Sequence, residues 1–170
     1  MPDADTIEGR IQRVKDGDTF VVATPSGTVT VRLWAVDAPE TGQAYGPAAT
    51  RGARKVAEGE RCRVVVKSRD RYGRLVGRIV ILEDGKEHLD VGRSLVFSGG
   101  AWARGEYASG IDHLHNAQQD ARQAGRGLWA QADPTPPWDY RSTEKEPTVW
   151  DAAQEGFRWG RWIWRLLRKL

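Results

Sequence analysis

The run Val31-Arg32-Leu33-Trp34-Ala35-Val36-Asp37-Ala38-Pro39-Glu40 constrains this chain more than any other stretch. Between Thr28 and Val36, Val29, Val31, Leu33 and Ala35 alternate with Thr28, Thr30, Arg32 and Trp34. That is the period of a strand with one buried face. Arg32 then points away from the core, ahead of the acids Asp37 and Glu40 at the strand exit. A second strand end, Asp16-Gly17-Asp18-Thr19, carries two more acids. Hard cations take oxygen ligands from carboxylates and main-chain carbonyls, so two acidic strand ends brought together make a chemically reasonable metal site. Taken singly, Asp-Gly-Asp is an ordinary turn and Asp-Ala-Pro-Glu an ordinary strand exit. Asp70-Arg71-Tyr72-Gly73-Arg74, a tight turn between two apolar strands, adds a second arginine at a strand start.

The chain in order reads as strands over Ile7–Lys15, Phe20–Ala23 and Thr28–Val36, then a helix entered at Pro47 and running from Ala48 to Ala57. A hairpin follows, Arg61–Ser68 and Leu75–Leu82, with Asp84-Gly85 as a further turn. Helices are expected from Asp90 to Phe97 and from Asp112 to Ala124, with an extended linker from Asp133 to Trp138. Five strands with a helix after the third suggest an α+β, mainly β fold: a five-stranded OB-type barrel with three helices. The domain reading is 1–140 for the barrel domain, 141–148 for a linker and 149–170 for a C-terminal amphipathic helix.

The chain's 26 basic against 23 acidic residues reduce to 7 against 4 in residues 141–170, which leaves 1–140 balanced at 19 each. A nucleic-acid partner must therefore be met by a local patch. Residues 61–78 supply one, with Arg61, Arg63, Lys67, Arg69, Arg71, Arg74 and Arg78 against Asp70 alone. The single cysteine, Cys62, excludes an internal disulfide, and its alternation with Val64 and Val66 gives it a packing role. Met1 to Thr6 lack the basic and apolar regions of a signal peptide, so the expectation is a cytoplasmic protein or a trimmed secreted one.

From Ile7 to Tyr140, in order and spacing, the chain resembles the staphylococcal nuclease (thermonuclease) family. The resemblance rests on Asp16-Gly17-Asp18-Thr19, the Val31-Arg32-Leu33 strand, Asp37-Ala38-Pro39-Glu40, Tyr45-Gly46-Pro47, Asp70 to Arg74, and Gly127-Leu128-Trp129. It implies a calcium-dependent nuclease that hydrolyses DNA and RNA with little sequence specificity. Single-stranded substrate is preferred, cleavage falls on the 5′ side of the phosphate, and the expected state is a monomer. By that resemblance Asp18, Asp37 and the Ala38 carbonyl hold calcium, where the family commonly has Thr at the third place. Glu40 is the general base or the residue that positions the water, Arg32 and Arg74 clamp the phosphate, and Asp16 stands near the metal. Arg71 and Tyr72 contact substrate. The family's two later tyrosines fall at Gly105 and Tyr107, so Tyr107 alone carries over. His88, His113 and His115 match no catalytic position and read as surface residues. The alternative is a catalytically silent nucleic-acid or protein-binding module.

The resemblance leaves the tail unexplained. At 100° per residue Phe157, Trp164 and Leu167 share one side with other apolar residues, and Arg158, Arg161, Arg165 and Arg168 share the other. Such a helix lies on a membrane surface, docks in a partner's groove or folds back onto its own barrel.

Overall fold

The computed structural model describes residues 5–105 and 110–143. The chain divides into two units, Met1–Pro137 and Trp138–Leu170. Tyr107 and the tail helix expected over 149–170 lie outside the described residues.

Strands β1 (Thr6–Val14), β2 (Thr19–Thr24) and β3 (Gly27–Leu33) form an antiparallel meander. After a two-residue strand β4 (Val36–Asp37) and helix α1 (Gly46–Ala57) come β5 (Arg61–Arg69), β6 (Leu75–Glu83) and β7 (Lys86–Asp90). The sheet order is β3-β2-β1-β5-β6-β7, and β3 also pairs in parallel with β6. That pairing sets Val31 opposite Leu75, Arg32 opposite Val76 and Leu33 opposite Gly77. It closes β1, β2, β3, β6 and β5 into the OB-type barrel expected from the sequence, and closure leaves those strands no open edge.

Alternation fills the barrel: Ile11, Phe20, Val22, Val31, Cys62, Val64 and Ile79 are fully buried in one core. Cys62 therefore packs, and burial pushes its thiol up to about 11. In β6 the run Ile79–Leu82 is buried without interruption because helix α2 (Val91–Phe97) packs on that strand. The Asp90 carboxylate caps α2 by accepting the Arg93 N–H at 2.9 Å. Strand β8 (Trp102–Ala103) leads to helix α3 (Asp112–Gln123), which lies against α2 and buries Leu114, Ala117 and Ala121. A 3-10 turn covers Gly127–Ala130.

Two sequence expectations are corrected. The strand read from Thr28 to Val36 breaks after Leu33, because Ala35 adopts a left-handed backbone with φ of 57°. The Trp34 N–H still reaches Gly77 O at 2.9 Å, but the turn resets the alternation, and Val36 and Asp37 are buried side by side. The extended linker read from Asp133 to Trp138 is non-helical as far as Pro136, but its last two residues, Pro137 and Trp138, open helix α4 (Pro137–Thr143). Proline opens that helix where a missing N–H is no loss. Among the described residues no helix is long and apolar enough to cross a membrane.

Gly77 stands at the barrel closure, and a Cβ there would lie 2.6 Å from Val65 O across the β5–β6 pair. Gly77→Ala is expected to destabilise the domain by about 1–3 kcal/mol. Urea unfolding followed by circular dichroism checks this, and an unchanged midpoint would show that β5 and β6 separate at little cost.

Candidate active site

The turn before β2 is shaped by its own acids. The Asp16 carboxylate accepts the Asp18 N–H at 3.1 Å, an Asx turn. A Cβ on Gly17 would stand 2.5 Å from the Ala38 methyl, so the two acidic strand ends touch here. The Asp18 carboxylate is buried between them: Oδ1 accepts the Thr19 hydroxyl at 2.9 Å, and Oδ2 accepts the Ala38 N–H at 3.2 Å.

Arg32 sits opposite Thr19 on one side of β3 and opposite Val76 on the other. Its Nη2 lies 2.7 Å from Asp37 Oδ1 and 3.2 Å from Asp18 Oδ2, so one cationic nitrogen spans both carboxylates. Asp37 has no exposed surface. Its other oxygen, Oδ2, accepts Arg104 Nη1 at 3.0 Å. Arg104 is delivered by β8, which pairs antiparallel with β4 and sets Trp102 opposite Asp37, and by its own N–H on Ala35 O at 2.8 Å. Burial pushes the Asp18 carboxyl up to about 7 against the pull of Arg32, and the neighbouring Asp16 charge adds to the rise.

Glu40 is half-buried three residues beyond Asp37. Its loop is built around Gln43, a buried amide whose Oε1 accepts the Glu40 N–H at 3.1 Å and whose Nε2 donates to Thr135 O. The backbone closes the same knot, with Gln43 N–H on Glu40 O at 2.9 Å and Gly46 N–H on Gln43 O at 2.8 Å. No side chain fits at Gly46, where a Cβ would meet Glu40 O at 1.8 Å.

Arg74 is held by its own turn. Asp70 Oδ1 accepts the N–H groups of Tyr72 and Arg74 at 2.9 and 3.0 Å, and Oδ2 takes Arg74 Nε at 2.7 Å. Arg74 precedes by two residues the Val76 that faces Arg32, and stands just ahead of the start of β6. Tyr72 is 68% exposed, with the guanidinium groups of Arg71 and Arg74 at 4.9 and 5.5 Å from its ring centre. The structure thus gathers Asp18, Arg32, Asp37 and Ala38 closely, sets Glu40 on the adjoining loop and holds Arg71, Tyr72 and Arg74 on the β5–β6 turn. His88 is exposed beside Glu83 and lies outside this group.

Sequence reasoning did not find Arg104 or Gln43. A two-residue strand carries no periodic signal, so nothing set Arg104 beside Asp37. The Gln43 role needs the distant Thr135 carbonyl. Among the described residues no three or more His, Cys, Asp or Glu gather as a metal cluster. The candidate donors are two buried carboxylates and the adjoining Ala38 carbonyl, all oxygen. Their chemistry fits a hard cation.

Comparison with known proteins gives a family model described as staphylococcal nuclease homologue, matching residues 30–131. A protein named "Uncharacterized endonuclease" from Escherichia coli O157:H7 is 41% identical over 135 residues, 79% of this chain and 85% of that protein. "Micrococcal nuclease" from Shigella flexneri is 32% identical over 145 residues, 82% of this chain and 83% of that protein. "Staphylococcal-like nuclease CAN1" from Arabidopsis thaliana is 35% identical over 115 residues, 68% of this chain and 34% of that larger protein.

The Asp18 carboxyl also makes metal-free stability depend on pH. Its folded value of about 7 lies above the ordinary 3.8, so between those values the folded state keeps a proton that the unfolded chain has released. Stability from this group is full at low pH and is lost as pH rises to about 7. In chelator, the stability gap between Asp18→Asn and the parent is expected to shift in favour of the variant from pH 5 to pH 8. Parallel unfolding curves across that range would contradict the burial assigned to Asp18.

Proposed function

The chain belongs to the staphylococcal nuclease family, and on that premise we propose that it is a calcium-dependent endonuclease. It hydrolyses phosphodiester bonds of DNA and RNA with little sequence specificity and prefers single-stranded or loosened substrate. The observation that carries this reading is the single Arg32 nitrogen within 2.7 and 3.2 Å of two buried carboxylates from separate strand ends. Two desolvated acids bridged by one guanidinium nitrogen form an arrangement that a structural turn does not need.

Phosphodiester hydrolysis requires a positioned water, a group to take its proton and positive charge where the phosphorane builds up. In this proposal Asp18, Asp37 and the Ala38 carbonyl would hold calcium, which would polarise the phosphate and help to orient the attacking water. Glu40 accepts the proton of that water from a loop fixed by Gln43. Arg32 and Arg74 present planar guanidinium forks to the phosphate oxygens, a two-point contact that lysine cannot make. Arg71 and the exposed Tyr72 ring contact the strand beside it. Ala38 suits its place because only its main chain is used, and its small side chain fits against Gly17.

Cleavage of denatured DNA is expected to stop in chelator and to return with calcium. Magnesium, which demands near-ideal octahedral geometry and dehydrates reluctantly, should not restore comparable turnover. Full activity without any metal overturns the proposal.

Glu40→Gln, Arg32→Lys and Arg74→Lys are each expected to lower kcat by about 10²-fold or more, because each group acts on the developing charge. Circular dichroism should show all three folded. Wild-type turnover in any one of them removes that residue's assignment.

A further inference from the structure

Both oxygens of the buried Asp37 carboxylate are engaged by arginines, Oδ1 by Arg32 and Oδ2 by Arg104. Asp18 is engaged on both sides too, Oδ1 by the Thr19 hydroxyl and Oδ2 by the Ala38 N–H and Arg32. A metal ion entering between these carboxylates meets two guanidinium charges within a few ångströms, where low dielectric makes repulsion strong. One guanidinium has to give up its oxygen.

The two arginines differ in how readily they can do so. Arg32 lies within a barrel strand, is 25% exposed on its side chain and spans both carboxylates. Arg104 follows a two-residue strand, is 53% exposed on its side chain and is followed by Gly105 at φ of 100°. Exposure means that its guanidinium can be rehydrated or re-paired at small cost, whereas withdrawing Arg32 uncovers two buried acids.

We propose that Arg104 is a metal-displaced, phosphate-binding residue: it covers Asp37 Oδ2 in the metal-free protein, yields that oxygen to the cation, and turns its guanidinium to a phosphate of the nucleic-acid strand. The proposal rests on the nuclease reading above and adds a residue that reading does not use. Its consequence is a coupling between metal and substrate. Calcium alone has to displace Arg104 into water, while calcium with a strand present displaces it onto a phosphate. Each ligand therefore tightens the other, by the same factor in both directions.

The test is isothermal titration calorimetry in the Glu40→Gln background, where cleavage is expected to be slow. Calcium is titrated with and without a short single-stranded DNA oligonucleotide, and the oligonucleotide with and without calcium. In Arg104→Gln, calcium alone is expected to bind roughly 5-fold tighter or more, and the mutual tightening by DNA is expected to fall by a similar factor. Arg104→Lys, which keeps the charge, should stay close to the parent in calcium affinity. Unchanged calcium affinity and unchanged coupling in Arg104→Gln overturn the proposal, as does weaker calcium binding, which would mean that Arg104 supports Asp37 as a ligand. If Arg104→Gln does not fold, Arg104 is a structural counter-charge and the proposal also fails. Cleavage by the otherwise unaltered protein, run in parallel, separates the two readings. No cleavage with calcium sinks the nuclease proposal, and cleavage with no change in Arg104→Gln sinks this one alone.

Discussion

Asp37 carries a carboxylate with no exposed surface, at the point where the strand meander leaves the barrel. An ionised carboxylate in such a place is untenable without paired, well-aligned cations. Much of the surrounding architecture supplies them. Arg32 arrives from β3 across the left-handed turn at Ala35, and Arg104 arrives from β8, whose backbone is fixed to Ala35 O and to the Gln118 side chain of α3. Even the brief β4–β8 pairing acquires a purpose in this light. It holds the segment that bears the second counter-charge against the acid that requires it.

Barrel closure sets the remaining geometry. The parallel pairing of β3 with β6 fixes Arg32 opposite Val76 and so fixes how far along the rim Arg74 stands. Side chains alternate with a period of two, and a slip of one residue at this seam would turn Val31 and Leu33 out of the core and Arg32 into it. Burial of Phe20, Val31 and Ile79 thereby sets the register on which the polar constellation depends. Packing and chemistry are tied through one strand with two faces.

What the sequence made legible follows from the range over which each signal acts. Strand alternation, the glycine turns at Gly73 and Gly85, and Pro47 at the entry of α1 are local, and the elements they mark form, with β3 cut short after Leu33. The clustering of Asp18, Arg32 and Asp37 was legible because a meander brings successive strand ends together. The left-handed Ala35 was hidden, since alanine carries no preference for that conformation, and what stabilises it comes from Gly77 and Arg104, both far off in sequence. Helix α4 was hidden because Pro134, Pro136 and Pro137 together suggest an extended chain, while the last of them suits a helix start. Arg104 and Gln43 depend on partners 67 and 92 residues away, beyond the reach of any local pattern.

Those separations bear on how a growing chain reaches its working form. Synthesis proceeds from the N-terminus at about 5–20 residues per second, and a domain folds as a unit once its parts have emerged. The acids at positions 18, 37 and 40 are made early, but the Arg104 guanidinium that meets Asp37 Oδ2 and the Thr135 carbonyl that accepts from the Gln43 amide are made late. A partly translated chain thus holds the acids in order without the geometry that unites them, and the centre is completed only by the last segment of the domain.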